Sequence, residues 1–316
     1  MQKISIISPC YNEEESVPLF YEEIKKTMGQ IEGYTYELIF VNDGSKDNTL
    51  SVIRDISSKD DDIKYVSFSR NFGKESAMYA GLEHCVGDYA VIMDCDLQHP
   101  PALLPVMIKE IESGEYDCIA TKRADRAGEA AFKRLFSGLF YKLTNMLSDT
   151  EVVDGACDFR LMSRPMVDAI LSLDEKNRFS KGIFSWVGFE TKWIEFNNAD
   201  RVAGTSKWSF KNLFKYAIDG IVAFSTKPLK IAAWMGLIVS FISFIFMIQI
   251  IFEVIFRGIA TPGFATTMVV LLMIGGLILI ALGIIGEYVG KMYLETKQRP
   301  IYIAKEVKTD KKEEGK

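Results

Sequence analysis

Polar and apolar positions divide the chain into two unequal parts. In the larger, N-terminal part four short apolar runs, at 4–8, 37–41, 63–68 and 89–93, read as buried strands. Segments able to form helices, at 17–31, 47–57, 74–85 and 102–113, separate and follow them. Strand and helix in alternation predict an α/β fold with a doubly wound, mainly parallel sheet. Each predicted strand ends in polar residues: Pro9 to Glu13, Asn42 to Ser45, Ser69 to Lys74, and Asp94 to Gln98. A parallel sheet gathers such ends along one rim, which is where open α/β sheets bind ligands.

Two long charge-free stretches follow, 231–252 and 258–286. Each is long enough to cross a hydrocarbon core of ~30 Å, which takes about 20 apolar residues. Lys227 and Lys230 precede the first, Lys291, Lys297 and Arg299 follow the second, and Arg257 is the basic residue between them. The positive-inside rule therefore predicts two membrane spans with both ends cytoplasmic, turning outside at Pro262 and Gly263. Gln249 stands within the first span without an acid or base, while Glu253 and Glu287 are terminal, so the spans read as anchors. Gly275, Gly276, Gly283 and Gly286 allow close helix association. The expected organisation is a cytoplasmic domain over 1–228, a two-helix membrane region over 229–290 and a charged tail over 291–316. Its last residues, 305–316, mix both charge signs and are expected to be disordered. The N-terminus lacks an apolar leader, which predicts that this domain stays in the cytosol.

The formal net charge of -5 argues against general nucleic-acid affinity. Five cysteines without metal-type spacing suit a reducing compartment, and two histidines leave little for a Ser-His-Asp hydrolase. None of the strand-end turns reads GxGxxG or GxxxxGK[ST], which disfavours dinucleotide dehydrogenases and P-loop NTPases. Asp94-Cys95-Asp96-Leu97-Gln98 instead sets two carboxylates and an amide at a strand end. Such oxygen donors suit Mg2+, which keeps several waters and is completed by substrate phosphates, so a diphosphate ligand is expected. The alternative is a plain turn, and His99 is left out because imidazole suits softer metals. Two basic sets, Lys122, Arg123, Arg126, Lys133 and Arg134, then Arg201, Ser206 and Lys207, suit a second phosphate, with anionic head groups competing for Arg126 and Lys133. The aromatic and basic segments 132–147 and 208–224 read as interfacial amphipathic helices, or else as core helices.

Four motifs, Ser8-Pro9-Cys10-Tyr11-Asn12-Glu13-Glu14, Val41-Asn42-Asp43-Gly44-Ser45-Lys46-Asp47, Arg70-Asn71-Phe72-Gly73-Lys74 and Asp94 to Gln98, resemble those of family 2 glycosyltransferases. With Asp158-Phe159-Arg160, Gly204-Thr205-Ser206-Lys207 and the two spans, nearly the whole chain resembles the polyprenyl-phosphate group of that family. Dolichol-phosphate mannose synthases and bactoprenol glucosyltransferases belong to this group. The resemblance implies a GT-A, Rossmann-like nucleotide-sugar domain followed by two transmembrane helices. It implies inverting transfer from a nucleotide-diphosphate sugar to polyprenyl (undecaprenyl) phosphate, giving a lipid-linked phosphosugar for cell-envelope glycosylation. UDP-glucose is the expected donor, with GDP-mannose or a UDP-N-acetylhexosamine as alternatives.

By the same resemblance Pro9, Tyr11, Glu13, Asp43, Asn71, Lys74 and Asp94 face the donor nucleotide. Asp94, Asp96 and Gln98 surround Mg2+ or Mn2+, Asp96 and Asp158 are catalytic, and Arg123, Arg134, Ser137, Arg201, Ser206 and Lys207 face the acceptor phosphate. The membrane, further copies of the chain, a separate flippase and a downstream glycosyltransferase are the expected partners. Bland readings stand beside several of these: Asn42 to Ser45 as a tight turn, Asp47 as a helix cap, Lys74 as a solvated side chain. Asp158 reads as a catalytic base by resemblance. A phosphate monoester, with a second pKa of about 6, is already largely dianionic at neutral pH, which leaves an orienting role equally open. A processive polysaccharide synthase is disfavoured because the chain lacks Gln-x-x-Arg-Trp and further spans. A non-catalytic sugar-nucleotide scaffold is disfavoured by the intact acidic residues.

Overall fold

The structure, a computed structural model, describes residues 1–123, 153, 155–196, 220–257 and 263–310. Strands β1 (Gln2–Cys10), β2 (Tyr34–Asn42), β3 (Ile63–Phe68) and β4 (Tyr89–Ile92) alternate with helices α1 (Ser16–Met28), α2 (Thr49–Lys59) and α3 (Lys74–His84). Helix α4 (Leu104–Ile111), β5 (Cys118–Arg123), β6 (Ala156–Ser163), α5 (Arg164–Leu171), α6 (Ser180–Trp186) and β7 (Thr191–Phe196) follow. Then come α7 (Lys227–Arg257), α8 (Phe264–Thr296) and β8 (Ala304–Lys308). The four strands and four helices expected in the first part are all present, within a few residues of their expected ends.

The described strands form one sheet in the order β7-β5-β6-β4-β1-β2-β3-β8. The β4-β1-β2-β3 centre is parallel, while β6 pairs antiparallel to both β4 and β5. Ile4, Ile6 and Ile7 of β1 and Leu38, Ile39, Phe40 and Val41 of β2 are wholly buried, as strands covered on both faces must be. One core joins Phe20 and Ile24 of α1, Ile53 of α2 and Met107 of α4 to the sheet; the other joins Ala77 and Met78 of α3, Val167 of α5 and Ile183 of α6 to its opposite face. Chain order runs outward in both directions from β1, so the crevice between the carboxyl ends of β1 and β4 is the topological switch point where a ligand is expected. Helix α3 lies unusually close to β1, since a Cβ built on Gly81 would meet the Ile7 side chain at 2.1 Å.

The tail corrects one expectation. Residues 304–308 form β8, an antiparallel edge strand on β3, where disorder had been expected from 305 onward. Its acids find partners far away in sequence: Glu306 pairs with Arg54 and Tyr65, and Asp310 with Lys3 and Lys64. Composition alone suggested a solvated segment, but an edge strand with one wet face tolerates this many charges.

Helices α7 and α8 are long and apolar enough to cross a membrane, and the segments Lys227–Phe246 and Val270–Thr296 are almost wholly uncovered by protein, 6% and 0% buried. Core helices of a soluble domain bury such surface, so these two require an apolar surrounding. The C-terminal end of α8 is tied to the sheet domain. Lys291 Nζ donates to Asn177 Oδ1 at 2.9 Å, and Glu295 accepts from the backbone N-H of Lys176 and Asn177, each at 2.9 Å.

Candidate active site

The loops after β1, β2 and β3 hold one another at the switch point. Asn12 N donates to Ser45 Oγ at 2.9 Å, Asn12 Oδ1 accepts from Lys46 N at 2.8 Å, and Glu13 N donates to Thr49 Oγ1 at 2.8 Å. Asn12 sits at φ 55°, a left-handed conformation that Asn tolerates better than most residues. Gly44, at φ +63°, lies so close to the next loop that an added Cβ would stand 2.3 Å from the backbone carbon of Arg70. Asp43 is buried, and its carboxylate accepts from Phe72 N at 2.6 Å, Gly73 N at 2.9 Å and Asn71 Nδ2 at 2.9 Å. Burial pushes its pKa up, against the opposing pull of the Phe72 and Gly73 amides. Asp43 therefore shapes the loop that delivers Lys74; Pro9, Tyr11 and Glu13 lie partly exposed on the neighbouring rim.

Across the crevice, β4 ends in Asp94, buried Asp96 and partly exposed Gln98. Gln98 N donates to Asp96 Oδ1 at 3.1 Å, closing a turn in which Leu97 is forced to φ 56°. A leucine in that region is strained, a feature that clusters at functional sites. The donor set, two carboxylates and an amide oxygen, fits a hard divalent cation that takes few protein ligands and completes its shell with water and phosphate. Among the described residues no group of three or more His, Cys, Asp or Glu converges, so a closed, all-protein cage of the structural kind is not what this rim offers.

Lys74 joins this cluster to Asp158. Its Nζ lies 2.8 Å from the Asp94 carboxylate and 2.7 Å from Asp158 Oδ2. The β4–β6 register explains the meeting: its last pair is Ile92 with Arg160, and continuing each chain two residues past that pair brings Asp94 and Asp158 to the same end of the sheet. Burial alone would raise the Asp158 pKa, but the charges of Lys74 and Lys181 and the Lys74 hydrogen bond outweigh it and hold the carboxyl well below the usual range. His99 is buried beside this cluster, stacked on Phe159 at 5.5 Å and edge-on to Phe196 at 5.7 Å, with its pKa lowered by burial although Asp94, Asp96 and Asp158 pull it up.

Beyond Asp158 the described side chains are mostly cationic. Exposed Arg123 ends β5, its N-H donating to Gly155 O at 3.1 Å, and Lys122 pairs with Glu195 at 3.0 Å. Arg160, only 3% exposed, donates from Nη2 to Cys157 O at 3.1 Å and lies 3.7 Å over the Phe184 ring. Arg134, Ser137, Arg201, Ser206 and Lys207 lie outside the described residues, as do Arg126, Lys133, segment 132–147 and most of 208–224. Sequence reasoning missed the bridge made by Lys74, which only the antiparallel return of β6 creates. It also missed Lys181, for which the sequence carries no signal. Arg160 stood beside Asp158 in the motif and was passed over.

A sequence profile described as glycosyl transferase family 2 matches residues 5–171. The prophage bactoprenol glucosyl transferase homolog of Escherichia coli (strain K12) is 42% identical over 97% of this chain and 99% of its own length. The bactoprenol glucosyl transferase of Shigella phage SfX is 42% identical over 96% of this chain and 99% of its own length. A solved structure of glucosyl-3-phosphoglycerate synthase from Mycobacterium tuberculosis, in complex with Mn2+, UDP-glucose and phosphoglyceric acid, overlaps with a TM-score of 0.46 at 21% identity, covering 70% of this chain and 78% of that one.

Proposed function

Because the chain belongs to glycosyl transferase family 2, we propose that this glycosyltransferase moves a sugar, glucose first among the candidates, from a nucleotide diphosphate to a polyprenyl phosphate at the cytoplasmic membrane surface. The observation that carries the reading is the Lys74 bridge, which holds the oxygen-rich β4 rim and Asp158 within one side chain's reach. A donor diphosphate belongs on the first side and a nucleophile on the second. The names of the two bactoprenol relatives and the exposed apolar helices support a lipid acceptor.

In this reading a phosphate oxygen of the acceptor attacks the anomeric carbon, a C–O bond forms as the bond to the diphosphate breaks, and the nucleoside diphosphate leaves with the electron pair. Configuration inverts, from an α-linked donor to a β-linked lipid phosphosugar. Asp96 and Gln98, with Asp94, would hold Mg2+ or Mn2+, which neutralises charge on a departing diphosphate. Pro9, Tyr11, Glu13 and Asn71 frame the nucleoside, while Asp43 works through the loop it clamps. We assign Asp158 to orienting the acceptor and its cations: the nucleophile is already largely ionised and needs little deprotonation, and Asp158 already holds Lys74 at 2.7 Å. Both α7 and α8 span the bilayer, with the sheet domain on the cytoplasmic side.

The test is to incubate membranes containing the full chain with labelled sugar nucleotide, Mg2+ and undecaprenyl phosphate. A chloroform-soluble labelled product is expected with UDP-glucose. Its absence with UDP-glucose, UDP-N-acetylglucosamine and GDP-mannose alike would overturn the assignment.

A further inference from the structure

A cavity of about 230 Å³ lies between β6, β7 and α6. Arg160, Lys181, Phe184, Phe189, Thr191 and Trp193 line it, and among the described residues no carboxylate does. Ala156, Asp158 and Arg160 alternate along β6, so Asp158 shares the strand face that forms the cavity's floor. Arg160 is almost fully buried, yet its Nε has no hydrogen-bond partner. A buried guanidinium N-H left unsatisfied is costly, and an anion entering beside it would complete its set. Lys181 adds a second cation that acts on Asp158 and Cys157, and exposed Arg123 acts on Cys157 from the rim. The cavity is smaller than the 300–1,000 Å³ usual for whole ligands, so it suits the end of a molecule. Its aromatic walls suit an apolar group attached to that end.

Building on the function proposed above, we propose that this cavity is a subsite for a prenyl-linked phosphate monoester, with Arg160 and Lys181 gripping phosphate oxygens and Phe184, Phe189 and Trp193 covering the first carbons of the chain. The start of α6 is fixed by Glu75, whose carboxylate accepts from Ser180 N at 2.9 Å, so Lys181 is held at the head of α6 from α3, the helix that also begins with Lys74. The donor-side and acceptor-side lysines are thereby placed by one element.

The test uses the full chain in detergent micelles, with farnesyl phosphate, farnesol and inorganic phosphate as probes and tryptophan emission as the readout. Farnesyl phosphate should change the emission of the unaltered protein, and that change should vanish in Trp193→Phe. Lys181→Gln should weaken the response about tenfold, the order for one charge-assisted hydrogen bond, and Lys181→Arg should restore it. Farnesol binding as well as farnesyl phosphate, or Lys181→Gln behaving as the unaltered chain, would overturn the subsite. Inorganic phosphate binding as tightly as farnesyl phosphate would overturn its lipid part. Transfer to undecaprenyl phosphate, measured on the same preparation, separates the two readings. Product without a Trp193 response sinks the cavity alone, and a Trp193 response without product sinks the proposed function alone.

Discussion

Around the carboxyl ends of β1, β2 and β3 the loops are tied to each other, with Asn12 on Ser45 and Lys46, Glu13 on Thr49, and Asp43 on Asn71, Phe72 and Gly73. Around β6 and α6 the described groups are mainly cations, Arg160 and Lys181 set about the Asp158 carboxylate and Arg123 beside Cys157. The first arrangement fixes shape before any ligand arrives, as recognition of a rigid nucleoside by a few hydrogen bonds demands. The second gathers positive charge that suits an anion; in the proposed reaction that anion's long tail stays in the bilayer, so only the phosphate needs to be held. Lys74 belongs to both.

The comparison can be broken most sharply at Asp96. Asp96→Ala should lower transfer about 10³-fold, the loss of one electrostatic stabiliser at a reacting diphosphate, while the melting temperature moves by no more than about 2 °C. Labelled-product assay and thermal unfolding check the pair. Gly44→Ala attacks the tied side through shape: its Cβ meets Arg70 backbone from a left-handed conformation, so about 3 kcal/mol is lost through overpacking and strain. Thermal unfolding should fall by roughly 6–12 °C, and donor KM should rise before acceptor KM does. Lys74→Met should lower kcat by about 10²-fold and change both KM values, unlike variants confined to either rim. Steady-state kinetics with each substrate varied in turn would show the coupling absent if only one KM moved.

The smallest effect belongs to the tail. Hydrogen bonds from Lys64 and then Lys3 hold the Asp310 carboxyl below its ordinary pKa, despite partial burial. A depressed acid contributes stability above its unfolded-state pKa and loses it as pH falls through the folded value, so acidification below about pH 4 should loosen the end of β8 first. Amide exchange in 304–308 should then quicken a few-fold, as it should at neutral pH in Asp310→Asn, and more weakly in high salt, since Asp310 is exposed while Lys64 is largely covered.

The parallel centre of the sheet was legible because strands covered on both faces are nearly continuous apolar runs, as Leu38 to Val41 show. Strand β7 was not, because its residues Thr191 to Glu195 are only half-buried or exposed and run polar-polar-apolar-apolar-polar, without the period-two alternation that marks a strand. Strand β6 hid behind Arg160, a buried charge that argues against a strand until Phe184 is placed beneath it. At the site, Asp94, Asp96 and Gln98 announced themselves by spacing, and the motif containing Asp158 by resemblance. The contact between Lys74 and Asp158 lies 84 positions apart and arises only from the ladder that joins β4 to β6. Charges in the tail read as solvated because their partners, Arg54, Tyr65 and Lys3, are more than 240 residues away.

Helix α8 runs for 33 residues, close to 50 Å at ~1.5 Å per residue, and a hydrocarbon core occupies about 30 Å of that. On the topology proposed above, the part of α8 beyond the core rises toward the sheet domain as a rigid stalk whose upper end is bolted to Lys176 and Asn177 and then stitched onto the sheet by β8. Stalk length thus sets the altitude of the reaction centre above the lipid. Lengthening it by one helical turn would lift that centre by ~5 Å, out of step with a phosphate that cannot leave the membrane surface.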